Sequence, residues 1–141
     1  MEHKEYPQLS VETTTINGRP LIKVSGTLDG WHYQTIEEAL RGQMSLETDA
    51  IIVDLSDLQF ASIGGMYALV EALRSVQYDV KVYAVATGDV SRVLHRTRFD
   101  LRVSLFRGLD EAAALVLPDD SGLAAKILRL GEDEGELPKA A

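Results

Sequence analysis

The stretch Ala50 to Val76, AIIVDLSDLQFASIGGMYALVEALRSV, decides the fold, and it reads as strand, turn and helix. Ile51, Ile52 and Val53 form a continuous β-branched run, as in a strand covered on both faces, and Asp54 ends it with a group that prefers water. From Met66 the period changes. Met66, Leu69, Val70 and Leu73 share one helical face, while Glu71 and Arg74 lie elsewhere. Between the two patterns sits Phe60-Ala61-Ser62-Ile63-Gly64-Gly65. Adjacent glycines lower helix propensity, so a pair at a helix start predicts a close backbone approach in the first turn. Free N–H groups there would face a partner or an anion.

This pattern resembles the STAS domain, shared by bacterial anti-sigma-factor antagonists and the cytoplasmic tails of sulfate-type anion transporters. The family signature is a buried strand ending in Asp, a small polar turn, an apolar pair, then Asp-Ser-Ser-Gly opening a helix. Counted from Asp54, the family's Asp falls on Ser62, its phosphorylatable Ser on Ile63, its second Ser on Gly64 and its Gly on Gly65. Only the last matches, and Ile63 has no hydroxyl to accept a phosphate. A second match is Gly26-Thr27-Leu28-Asp29-Gly30, similar to the family's Gly-x-Leu-Asp turn between the second strand and the first helix. The resemblance implies an α/β, SpoIIAA-like fold over residues 9–117: a mixed, mostly parallel sheet with an initial hairpin and helices packed largely on one side.

Working outward, Leu9 to Ile16 and Pro20 to Ser25 have strand patterns, with Asn17-Gly18 signalling a tight hairpin between them. Tyr33 to Gly42 reads as a helix with Ile36, Ala39 and Leu40 inward. Downstream, Val80 to Ala86 suits a strand beside Ile51 to Val53, and Asp89 is a natural cap for a helix from Val90 to Arg98. A strand near Val103 to Phe106 and a helix from Leu109, with acids in its first turn, complete the alternation of strand and helix. That order predicts helical crossovers and a mostly parallel sheet. Residues 1–8 read as an N-terminal arm and 118–141 as a C-terminal extension. In the extension Asp120-Ser121 would cap a short helix carrying Leu123, Ile127 and Leu130, ahead of an acidic tail.

Composition narrows the function. A chain of 141 residues with 45% hydrophobic content suits one domain. The absence of cysteine removes thiolate and disulfide chemistry, and no apolar run suggests a secretory signal or direct membrane insertion, so a cytoplasmic protein is expected. A net charge of −8 argues against nonspecific nucleic-acid binding and favours protein partners.

Several residues carry candidate chemistry. Ser62, the only hydroxyl between Phe60 and Met66, is either a helix cap or a phosphorylation site, where phosphate would add about two negative charges. Asp29 and Asp54, which the resemblance implies lie near one another at one end of the sheet, are candidates to bind a metal or nucleotide, but acids at strand ends ordinarily bond to their own turns. Trp31 and Tyr33 are expected to pack over the first helix rather than form a contact surface. Arg92, Arg96, Arg98 and Arg102, with His95, form the one basic segment, either a solvated face or a docking patch for an acidic partner. No phosphate loop, catalytic triad, metal-ligand spacing or cofactor motif is visible.

The reading is therefore a non-catalytic binding module without metal or cofactor. By resemblance it presents Asp29, Ser62, Ile63, Gly64, Gly65, Met66 and Tyr67 to an anti-sigma factor or a GHKL-type serine kinase. A homodimer is compatible with this reading. The alternative is a stand-alone cytoplasmic accessory subunit of a lipid or anion transporter.

Overall fold

The computed structural model of the protein describes residues 8–97 and 101–115. At its centre is β3 (Ala50–Asp54), every residue of which is buried. Its position explains the sequence: β2 (Arg19–Leu28) and β5 (Lys81–Val85) pair with it in parallel, one on each edge. The sheet continues outward with β1 (Ser10–Ile16), antiparallel to β2, and β6 (Val103–Phe106), parallel to β5. Asn17 and Gly18 both take positive φ, 53° and 82°, as a tight hairpin with the right-handed twist of its strands requires.

Alternation along β3 divides its side chains between the two faces. Ile51 and Val53 join Ile22, Val24, Val82 and Ala84 under α1 (Tyr33–Gly42), α2 (Ile63–Val76) and α3 (Gly88–Arg96). These helices supply Ile36, Leu40, Leu69, Leu73, Val90 and Leu94 to the same core. Full burial of a side chain such as Leu69 or Leu73 stabilises the fold by about 1.5–3 kcal/mol. Ile52 points the other way and meets Val85 and Ala112, the last from α4 (Leu109–Leu115). Three helices on one face and one short helix on the other give the expected SpoIIAA-like arrangement.

Several local expectations change. The strand expected to stop at Ser25 runs on to Leu28, because its last residues find a second partner, β4 (Leu58–Phe60). Gly26, with φ of 92°, bends β2 between its pairing with β3 and its pairing with β4, and its N–H donates to the Asp57 carbonyl. The segment Gly26 to Leu28 is thus strand rather than turn. Helix α2 begins at Ile63 with Ser62 as its N-cap, so both glycines lie inside its first turn, as the sequence predicts. Thr87, not Asp89, occupies the N-cap of α3. Gly88 at φ 59° turns the chain into the helix early, leaving Asp89 in the first turn paired with Arg92. Asp54 is buried rather than solvated, because its carboxylate accepts hydrogen bonds from the N–H (3.0 Å) and hydroxyl (2.7 Å) of Ser56. The N-terminal arm up to residue 7, Arg98 and the extension with Leu123, Ile127 and Leu130 lie outside the described residues.

Candidate partner-binding site

Two loops leave the same end of the paired strands β2 and β4. After Leu28, the chain passes Asp29 and a single 3-10 turn, Gly30–His32, before entering α1; after Phe60, it passes Ala61 and Ser62 before entering α2. The β2–β4 register sets Leu28 opposite Phe60, and the Ala61 N–H donates to the Leu28 carbonyl at 2.9 Å. A residue distant in sequence, Asp29, is thereby carried to the start of α2.

The Ser62 hydroxyl joins the loops. It donates to Asp29 Oδ1 at 3.0 Å and accepts the Gly65 N–H at 3.2 Å, so the helix cap is tied to the neighbouring turn. The Asp29 N–H in turn donates to His32 Nδ1 at 2.8 Å, which leaves the proton of a neutral imidazole on Nε2. Close packing of glycines completes the joint. A Cβ on Gly64 would lie 3.2 Å from the Gly30 Cα, and one on Gly65 would overlap the Leu28 carbonyl oxygen. The close approach predicted for the glycine pair is therefore made within the chain. Of the N–H groups in this first turn, those of Gly65 and Met66 are bonded to Ser62.

The seven residues singled out in the sequence divide into three groups. Asp29 and Ser62 form the polar joint, Gly64 and Gly65 pack it, and Ile63 and Tyr67 project outward with exposures of 67% and 66%. Met66 is half-buried beside them. Trp31 corrects an expectation. Rather than packing over α1 it is 77% exposed, its ring held against His32 with centroids 3.8 Å apart. Sequence reasoning undervalued it because an aromatic near a helix start is usually core, whereas here it sits on a tight turn next to glycine. Asp29 and Asp54 are not a carboxylate pair, since each is hydrogen-bonded at a separate turn, to Ser62 and to Ser56. Among the described residues no group of His, Cys, Asp and Glu is placed to hold a metal, and no helix is long and apolar enough to cross a membrane.

The basic segment also resolves into separate roles. Arg92 pairs with Asp89, and Arg102 stands over the ring of Tyr78 at 5.0 Å. Arg96 is exposed and makes no ion pair among the described residues.

A buried parallel strand feeding a glycine-packed helix start, tied by one hydroxyl to the turn before α1, defines a domain whose exposed features lie in loops and helix faces. The STAS domain model matches residues 10–112, and the chain belongs to that family. Among its relatives is the anti-sigma-F factor antagonist RsfB of Mycobacterium tuberculosis, 27% identical over 105 residues that cover 74% of this chain and 86% of RsfB. An anti-sigma factor antagonist from Mycobacterium paratuberculosis superposes with a TM-score of 0.62 at 23% identity, covering 77% of this chain and 94% of that one. An uncharacterised Shewanella loihica protein with a SpoIIAA-like fold superposes at 0.52 and 15% identity, covering 81% and 97%.

Proposed function

We propose that this protein is an anti-sigma-factor antagonist that binds its partner without a serine phosphate switch at the usual position. The observation that carries the reading is the joint at the start of α2: Ser62 is engaged by Asp29 and Gly65, while Ile63, at the family's acceptor position, is exposed and apolar. The relationship to RsfB supports the partner class, and the net charge of −8 supports a protein rather than a nucleic acid. Trp31, Ile63 and Tyr67 are large, exposed and apolar, the kind of side chain that anchors interfaces. The protein acts by occupancy, not catalysis. It holds an anti-sigma factor through this surface and so releases a sigma factor.

The test is transcription in vitro. RNA polymerase with each sigma factor of the source organism is inhibited by the matching anti-sigma factor, and the full chain is added with ATP. One system should be relieved stoichiometrically, and relief should be lost with Ile63→Glu, which places a charge at the acceptor position. Failure to relieve any of the systems, or full relief by Ile63→Glu, would overturn the proposal.

A further inference from the structure

Beside the loop surface, α2 and α3 leave an open groove of about 320 Å³. Its α2 wall is Ile63, Met66, Tyr67 and Val70, residues at helical spacing along one stripe; Val93 supplies an apolar side chain from α3. Its charged side chains and the Thr97 hydroxyl are paired internally, with one exception. Glu71 pairs with Arg74, and the Thr97 hydroxyl donates to the carbonyls of Val93 and Leu94 at 3.1 and 3.2 Å. Arg96, at the C-terminal end of α3, lines the groove with no ion pair among the described residues. The groove is therefore apolar toward the start of α2 and carries an unanswered cation near the helix ends.

We infer that this groove receives an acidic amphipathic helix of the partner protein, with apolar side chains over Met66, Val70 and Val93 and a carboxylate on Arg96. The inference deepens the reading of the Ile63 to Tyr67 face as a contact surface, because those residues line both. Charge selects the occupant. A basic helix would place a like charge against Arg96 and Arg74, and a wholly apolar one would cover the Arg96 guanidinium unpaired. The overall charge of −8 does not veto an acidic segment, since at physiological salt charges farther than about 8 Å are largely screened and local charge decides. A helix laid in a groove between helices uses anchors spaced as these are.

The probe is a short helical peptide with leucines at i, i+3, i+4 and i+7 and glutamates elsewhere, titrated into the isotope-labelled full chain and followed by amide chemical shifts. Shifts should map to α2 and the end of α3. Arg96→Glu should weaken binding about tenfold or more, the effect of losing a charge-assisted hydrogen bond. Tyr67→Ala should weaken it too, while Leu46→Ser, at an exposed leucine that does not line the groove, should change nothing. Circular dichroism confirms that each variant is folded. No shifts at millimolar peptide, unchanged binding by Arg96→Glu, equal binding of a peptide with lysine in place of glutamate, or shifts confined to Trp31 and His32 would each overturn the inference. Because no anti-sigma factor is present, the result is independent of whether the transcription assay succeeds.

Discussion

Gly65 packs so tightly on the carbonyl of Leu28 that no side chain fits between them. That carbonyl also accepts the Ala61 N–H, so it cannot swing away without loosening the loop that leads into α2. Gly65→Ala should therefore destabilise the domain by about 1–3 kcal/mol, as overpacking at rigid sites does. Chemical denaturation of the variant checks this, and an unchanged midpoint would show that β2 and the start of α2 can part at little cost.

The same substitution has the opposite sign at Gly42. This residue ends α1, and a Cβ built there meets nothing within 4 Å. Gly42→Ala should stabilise by about 0.4–1 kcal/mol by restricting the unfolded chain. Comparing the two variants in one denaturation series separates crowding from backbone entropy.

Ser62→Ala removes the cap of α2 and its bond to Asp29, a loss of about 1 kcal/mol. Partner binding should be largely retained, since the exposed anchors remain. Incubation with a cognate kinase and ATP should leave Ser62 unmodified by mass spectrometry, because its oxygen already bridges Asp29 and the Gly65 N–H. Stoichiometric phosphate on Ser62, with loss of binding in Ser62→Asp, would restore a phosphate switch one residue early.

At the opposite end of β3, Arg19 clasps Asp49 through two contacts, Nε to Oδ1 at 3.2 Å and Nη2 to Oδ2 at 2.9 Å. The hydrogen bonds from Arg19 hold the Asp49 carboxyl below its ordinary range. A carboxyl depressed in the folded state adds stability above its unfolded pKa and loses it as pH falls through the folded value. Asp49→Asn should thus be less stable than the native chain at neutral pH, with the difference vanishing in acid below the ordinary aspartate range. Asp49 is largely exposed, so the effect is small. Thermal unfolding from neutral to acidic pH provides the measurement, and a constant difference across that range would remove Asp49 as the titrating group.

The elements whose signals are local were legible in the sequence. The Ile51 to Val53 run, the helical spacing of Leu69, Val70 and Leu73 and the Asn17-Gly18 turn each specify a conformation through their own sterics and solvation, and each adopts it. The close approach at Gly65 was also legible, since a glycine pair at a helix start has few other reasons to be there. What it approaches was not.

Tertiary structure decided the rest through backbone pairing between segments far apart in sequence. Three residues, Leu58, Gln59 and Phe60, carry too little periodicity to announce a strand, yet β4 exists because the end of β2 offers it free hydrogen-bonding groups. That pairing extends β2 past Ser25, carries Asp29 to Ser62 and leaves Trp31 in solvent. The groove between α2 and α3 likewise depends on how two helices settle on the sheet, so no property of either helix alone revealed it. Sequence determined the fold and its glycine-packed helix start because local chemistry suffices for those; the surface the domain presents came from contacts that only the folded chain can make.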